Sequence, residues 1–383
     1  MIPYGKQSIS QDDIDAVIDV LKSDWLTQGP KVPAFEQAVA HYCGVNHAVA
    51  VNSATSALHI ACLALDVGKN DIVWTSPISF VASANCALYC GAKIDFVDID
   101  LASGNMSIHE LEKKLVLAEQ ENQLPKVVIP VHLAGQSCDM QAIHKLAEHY
   151  GFKIIEDASH AIGAKYQNTP VGCCEFSDIC VFSFHPVKII TSAEGGMAVT
   201  NNSVLAKRLT RLRSHGLTSD QAEMTELSHG PWYYQQIELG FNYRMTDLHA
   251  ALGLSQISKL DAFVSKRNEL ALRYNHEFKD LPVIHLKQTQ DCYSSYHLYI
   301  VRLMNSDKEH HKALICQLRE QGIMSHLHYI PIHLQPYYKK LGFNYGDFPN
   351  AERYYNEAIT IPLYPLMTKE EQSKVIDAVL KVL

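Results

Sequence analysis

The chain has 383 residues, 33 basic and 41 acidic side chains, a formal charge of −8 and 47% hydrophobic residues. At about 150 residues per domain, this length fits two domains, or one large core with a smaller appendage. The acidic balance excludes a general nucleic-acid binder, and the apolar fraction excludes a disordered chain. The opening MIPYGKQSISQDD lacks a basic and then apolar leader, and no run of 18 apolar residues occurs. The expectation is a cytoplasmic protein with no membrane partner. Ten cysteines include no C-x-x-C, and Cys173 and Cys174 are adjacent, so reduced and mostly core thiols are expected.

Ser10 is a plausible N-cap for a first helix, with Ile14, Val17, Ile18 and Leu21 at amphipathic spacing. From residue 45 to about 200, apolar runs at 48–51, 71–76, 93–99, 126–133, 153–159, 178–184 and 196–200 read as strands. Helical stretches lie between them at 54–65, 79–90, 108–115 and 140–150. That alternation predicts an α/β domain on a mostly parallel, buried sheet. After GFNYRMTD (240–247) comes a long helical stretch, then strand candidates near 282–286 and 296–303 and a helix near 307–321. The boundary is placed near residue 250, giving a large domain over 1–250 and a small mixed one over 251–383. Residues 1–30 form an arm and helix expected to pack on the small domain.

No G-x-G-x-x-G follows a strand, and neither G-x-x-x-x-G-K-[ST] nor G-x-S-x-G is present. Twenty histidines raise the question of a metal, but no H-E-x-x-H occurs. The His326/His328 pair has no carboxylate or thiol beside it, and His310/His311 sits in polar SDKEHHK, so no metal is expected. What remains is a spaced set. Asp157 ends the apolar run KIIED, and Lys188 lies in FSFHPVKIITSAEGG between Val187 and Ile189. Apolar neighbours desolvate an amine and free it as a nucleophile. A carboxylate at a strand end, facing a pyridine ring, would keep the ring nitrogen protonated. The pair suggests pyridoxal 5′-phosphate. Asn52 to Ser56 joins a strand to a helix start, where hydroxyls and free amides could hold a phosphate, and Ser183 could add a hydroxyl. Taken singly, Asp157 reads more often as a helix cap or turn, Lys188 as a solvated side chain and NSATS as an ordinary cap. Their order along the chain favours the joint reading.

NSATSALH (52–59), PISFVASAN (77–85), EDASHAIGA (156–164), FSFHPVKIITSAEGG (182–196), RSHG (213–216) and GFNYRMTD (240–247) resemble the DegT/DnrJ group of nucleotide-sugar aminotransferases. The resemblance covers essentially the whole chain. It implies a fold-type-I pyridoxal-phosphate-dependent transferase: a mostly parallel sheet flanked by helices, with a smaller C-terminal α+β domain. It also implies that Lys188 is the Schiff-base lysine, Asp157 the partner of the ring nitrogen and His160 a neighbour of the ring's phenolic oxygen. Phe80 would stack on the ring. Ser53, Ala54, Thr55 and Ser183 would surround the phosphate or adjoining substrate, and Asn242 would reach the phosphate from a second subunit, hence a homodimer with shared sites.

Within that group, SDWLTQGP (23–30), His160 and the tail at 295–338 resemble the pseudaminic acid branch. There, Tyr4, Asp24, Trp25, Leu26, Thr27, His326, Leu327, His328 and Tyr329 match segments lining the sugar-nucleotide pocket. The residues alone also allow Phe80 as core, Asn242 as a turn residue, Tyr4 as a packed terminus and the tail as an aromatic surface strip. The implied partners are a UDP-linked 4-keto-6-deoxy sugar and L-glutamate, with Arg213 and Arg244 as candidates for the donor's carboxylate. Relatives that dehydrate sugars carry His in place of the lysine, so Lys188 favours transamination. Transamination at C3, or at C4 of a D-configured sugar, would use the same cofactor residues. A silent cofactor-binding regulator need not keep both Lys188 and Asp157.

Overall fold

The computed structural model describes residues 1–383. Seven strands form the central sheet: β1 (His47–Val51), β2 (Ile72–Thr75), β3 (Lys93–Phe96), β4 (Val127–Ile129), β5 (Lys153–Asp157), β6 (Ile179–Ser183) and β7 (Gly196–Thr200). Their spatial order is β1-β7-β6-β5-β4-β2-β3. Neighbours from β6 through β3 pair in parallel, whereas β7 is antiparallel to both β1 and β6. Helices α1 (Gln11–Leu21), α2 (Lys31–Cys43), α3 (Ala54–Ala64), α4 (Ala82–Tyr89), α5 (Ile108–Gln120), α6 (Met140–Tyr150), α7 (Ser203–Leu212) and α8 (Asp247–Ile257) belong to this unit. Every residue of β6 and of β7 is buried. Such strands read as unbroken apolar runs because both faces of the sheet are covered.

The long helical stretch divides at Ser258 and Lys259 into α8 and α9 (Leu260–Glu277). The boundary read at residue 250 therefore falls inside α8, which packs on α1 and α2. The core changes within α9. Leu260 and Val264 join the large-domain cluster around Phe35 and Phe182, while Leu270, Ala271 and Tyr274 join a second cluster. That cluster packs on an antiparallel sheet of β8 (Val283–His285), β9 (Tyr299–Leu303) and β10 (Ala358–Ile361). Helices α10 (Lys308–Glu320), α11 (Pro349–Glu357) and α12 (Lys369–Val382) complete the small domain. No helix is long and apolar enough to cross a membrane.

The amino-terminal arm and its helix go to different places. Ile2 pairs with the small domain, donating to the Gly322 carbonyl at 2.8 Å and accepting from the Met324 amide at 2.9 Å. Helix α1 packs instead on α8. Asp13 ties that contact: its buried carboxylate accepts from Ser255 Oγ at 2.6 Å and Gln256 Nε2 at 2.8 Å, and pairs with Lys259 at 2.8 Å. Burial pushes the Asp13 carboxyl up, but Lys259, the Ser10 amide, Ser255 and Gln256 together hold it down to about 2. A depressed carboxyl contributes stability above the unfolded-state value near pH 4 and loses it as pH falls toward 2. Asp13→Ala should therefore cost up to about 3 kcal/mol near neutral pH, because it leaves buried partners unpaired. In thermal unfolding followed against pH, the gap from the native chain should narrow below pH 4; a constant gap would mean that Asp13 acts through packing alone.

Candidate active site

A cavity of about 520 Å³ is lined by residues from the ends of β5 and β6, the start of α3, the segment leading into β7 and the tail near residue 328. Because β7 runs against its neighbours, the segment 184–195 leaves the sheet at Ser183 and re-enters at Gly196 on the same edge. Lys188 is thereby held over the strand ends. A Cβ on Gly196 would lie 2.5 Å from the Ala54 amide nitrogen, so only glycine lets β7 come this close to the start of α3. Ser53 caps α3 by accepting from the Ser56 amide at 3.1 Å. The first amides of α3 precede the helix's own hydrogen-bond ladder, which leaves donors for an anion.

Both oxygens of Asp157 are fixed: Ser83 Oγ donates to Oδ2 at 2.6 Å, and the Ser159 amide donates to Oδ1 at 3.1 Å. Lys188 is the one lysine or arginine in the lining. Burial lowers its amine to about 8, against the opposing pull of Asp157. His160 is buried and held well below the ordinary histidine range, first by burial and then by Lys188 and His328. Burial raises the Tyr329 phenol, and its Oη hydrogen-bonds His160 Nε2 at 3.0 Å. The His297 ring lies 4.4 Å from that of His160, tilted by 45°, and is likewise held neutral by burial. The Nδ1 atoms of both rings are buried without a partner.

The lining brings together Tyr4, Ser53, Ala54, Thr55, Phe80, Asp157, His160, Ser183, Lys188, His326, His328 and Tyr329. The Tyr4 ring lies 5.3 Å from His326 and 5.1 Å from His328. Burial, with His326 and Lys188 nearby, drives His328 down to about 3, and its Nδ1 bonds Thr360 Oγ1 at 2.9 Å. Leu327 does not reach the cavity. The segment is extended and pairs with β10 through His326 and Thr360, so alternate side chains face opposite ways and Leu327 joins the core. Asp24, Trp25, Leu26 and Thr27 are exposed and lie outside it, next to the segment holding Asn242: Thr27 pairs with Thr246, and Leu26 accepts from the Asp247 amide. Asn242 is also exposed and outside the lining. Arg213 is committed to Glu36 and the Ala50 carbonyl, which removes it as a free carboxylate ligand; Arg244 bonds only Ser214 Oγ, at 3.1 Å.

Sequence reading missed Ser79, Ser83, Ser159, His185, Glu194 and His297. Ser79 and Ser83 sit four apart in the quoted PISFVASAN and bond each other at 2.7 Å. His297 lies in the quoted tail, but only the fold turns it toward Lys188. No cluster of three or more His, Cys, Asp or Glu side chains is placed to hold a metal.

Residues 7–380 match the DegT/DnrJ/EryC1/StrS aminotransferase family. The chain belongs to this family. It is 39% identical over 384 residues to the UDP-4-amino-4,6-dideoxy-N-acetyl-beta-L-altrosamine transaminase of Campylobacter jejuni, covering 100% of this chain and 98% of that one. Among solved structures it resembles Helicobacter pylori PseC, an aminotransferase of pseudaminic acid biosynthesis, with TM-score 0.90, 34% identity and coverage of 100% and 98%. It also resembles the pyridoxamine-phosphate form of the putative sugar aminotransferase Spr1654 from Streptococcus pneumoniae, with TM-score 0.90, 31% identity and full coverage of both chains. The protein is a sugar aminotransferase that uses pyridoxal 5′-phosphate, with a nucleotide sugar and an amino donor as substrates. The site fits that cofactor. The amine of Lys188, the fixed carboxylate of Asp157, the 60%-exposed Phe80 ring, and His160 and His297, whose buried Nδ1 atoms lack partners, all line one cavity.

The lowered Lys188 amine gives a pH test. In cofactor-free protein, the rate of covalent capture of pyridoxal phosphate, followed by absorbance, should climb with pH and level off above about 8. An ordinary lysine would keep climbing to about 10. A climb of that kind would refute the desolvated amine.

Proposed function

We propose that the chain moves the amino group of L-glutamate to C4 of a UDP-linked 4-keto-6-deoxy-N-acetylhexosamine, a step toward a nonulosonate of the pseudaminic acid type. The observation that carries this is the wall of Tyr4, His326, His328 and Tyr329 sharing one cavity with Lys188. The activities of the Campylobacter and Helicobacter relatives support it.

Bound pyridoxal phosphate supplies an electron sink for the carbon that loses its proton. Lys188 would anchor it, and the amine, once released, takes a proton from Cα of the amino donor and later returns one to C4 of the sugar. A lowered pKa suits this dual role, because both forms of the amine are populated near neutrality. Asp157, fixed by Ser83 and Ser159, would hold the ring nitrogen's proton, and Phe80 would cover a ring face. Ser53, Thr55, Ser183 and the first amides of α3 would hold the phosphate. No arginine lines the cavity, so this phosphate site rests on neutral donors and a helix terminus. Tyr329 would fix the orientation of neutral His160 beside the phenolic oxygen.

Incubation with L- and D-configured UDP-4-keto sugars, read by NMR, tests the assignment: a 4-amino product from the L-sugar is expected, and a 3-amino product or the D-sugar alone would overturn it. His328→Ala should lower kcat/KM for the sugar roughly 5- to 150-fold, about 1–3 kcal/mol, and leave the glutamate half-reaction unchanged. Equal loss of both half-reactions would place His328 in the catalytic core instead of the sugar wall.

The proposed assembly is a homodimer in which Asn242 serves the partner's phosphate site. Its support is position: Asn242 is exposed and two residues from Arg244, which pairs with Val51 just ahead of the Ser53 cradle. The exposed Trp25 and Leu26 lie on the adjoining surface. Mixing Asn242→Ala and Lys188→Ala subunits should restore some activity, since one hybrid site is then intact. Absence of rescue despite proven subunit exchange would assign each site to a single chain.

A further inference from the structure

Helix α9 runs from one core into the other, and its buried stripe contains a charge. Leu260, Val264, Arg267, Ala271 and Tyr274 recur at spacings of four and three, the pattern of a helix face turned inward, and all five are buried. Leu260 and Val264 pack in the large-domain cluster, Ala271 and Tyr274 in the small-domain one. Arg267 therefore stands where the two cores meet, with 1% of its surface exposed. Buried charges are ordinarily paired with an opposite charge. Here burial alone lowers the guanidinium, to about 9, with no carboxylate to oppose it, and leaves it charged near neutral pH. Its Nε is buried without any partner. Packing gives no reason for a guanidinium in an apolar stripe.

Three carbonyls take the place of a carboxylate. Arg267 Nη1 donates to Tyr296 and His297 at 3.2 Å each and to Leu363 at 3.1 Å. Both segments lead to the cavity. His297 lines it, and Ser295, two residues earlier, donates from Oγ to the His160 carbonyl at 2.9 Å. Leu363 donates its amide to the Tyr4 carbonyl at 3.0 Å, and the Tyr4 ring leans on His326 and His328. One nitrogen thus joins the backbone around His160 and His297 to the arm residue on the opposite wall. Tyr274 Oη also holds the Pro362 carbonyl, at 2.9 Å, so Leu363 would stay beside α9 without the guanidinium. What Arg267 adds is the link from that segment to residues 296 and 297. An apolar side chain of similar length would fill the stripe but remove the donor that the three carbonyls share.

We propose that Arg267 is a positioning residue for the sugar step, setting the separation between Tyr4 and the face formed by His160 and His297. It lines no part of the cavity and acts through backbone carbonyls alone. The role rests on Tyr4 belonging to the sugar wall. A nucleotide sugar must touch that wall while its C4 meets Lys188, so it feels the spacing of the two walls. The amino donor, which needs only the large-domain groups, does not. Misplacement of about 1 Å near reacting groups costs on the order of 100-fold.

The test compares both half-reactions in the cofactor-loaded native enzyme, Tyr4→Ala, Arg267→Lys and the double variant. Lysine keeps the charge, but its shorter stem and single ammonium cannot span both segments. Arg267→Lys should lower kcat/KM for the nucleotide sugar on the order of 10- to 100-fold, while the glutamate half-reaction keeps most of its rate. The double variant should lose little more than the worse single one, because the two residues act through one contact. In hydrogen exchange, the Leu363 amide should lose protection in Arg267→Lys while the amides of β6 keep theirs. Arg267→Gln, which exchanges the charge for a neutral amide donor, should divide the half-reactions in the same way and serves where the lysine variant folds poorly. Equal loss of both half-reactions with protection lost throughout would overturn the proposal and leave Arg267 a core residue only. Losses that multiply in the double variant would overturn the route through Tyr4. If Tyr4→Ala impairs the sugar step and the Arg267 variants do not, the role of Arg267 alone fails; if Tyr4→Ala leaves that step intact, the sugar wall fails and the proposal with it.

Discussion

One reversed strand organises the active edge. In a sheet made only of crossovers, each parallel strand ends at one edge and the next begins at the other, so a connecting segment must cross the whole sheet. Strand β7 departs from that rule by running against both β1 and β6. Its first residue, Gly196, pairs with Val51 at the end of β1 and with Ser183 at the end of β6. The segment from residue 184 to 195 therefore starts and finishes beside the strand ends where α/β proteins place their ligands. Lys188 has nowhere else to go. The absence of a side chain on Gly196 completes the arrangement by letting the start of α3 come within contact of the same strand.

The electrostatics follow from this crowding. One amine, one fixed carboxylate and a set of neutral donors share a cavity into which His160, His297 and His328 also project. Burial holds all three imidazoles below their ordinary range, so they add hydrogen-bonding capacity without adding positive charge. A protonated imidazole beside Lys188 would compete with it for Asp157 and depress the amine further. Tyr329, whose phenol stays protonated, occupies one ring nitrogen of His160 in a 3.0 Å hydrogen bond. The neutral histidines and the usable lysine are thus two sides of one desolvation effect.

What could be read from sequence divides along the same physical line. Lys188, Asp157, the Ser53–Thr55 cradle and Ser183 were legible because each sits at the end of a buried strand, or just beyond it, and such strands announce themselves as unbroken apolar runs. Ser83 and His297 were not: each meets the site through contacts spanning about 74 and 137 positions, which no local period encodes. Leu327 reads with its neighbours as one motif, although period-2 alternation in an extended segment separates it from His326 and His328. Residues 1–30 read as one piece in the sequence. In the structure, Ile2 joins the small domain, whereas Asp13 fixes α1 to α8 through partners some 240 residues away.

That split of the arm bears on how specificity and catalysis are separated. Tyr4 lies between the two places: its carbonyl accepts from the Leu363 amide at 3.0 Å, and its ring leans on His326 and His328. His328 in turn is held by Thr360 on β10. The wall of Tyr4, His326 and His328, proposed to face the sugar, is therefore built on the small domain and the first residues of the chain, while Lys188, Asp157 and the Ser53–Thr55 segment stand on the large-domain sheet. The two walls meet through Tyr329, which bonds His160 on one side and follows His328 on the other. Side chains on the wall can change shape or polarity without disturbing the strand ends that place Lys188 and Asp157. On the proposed roles, a fold divided in this way lets one set of proton-transfer groups serve many sugars, with the choice among them made by residues that bear none of the chemistry.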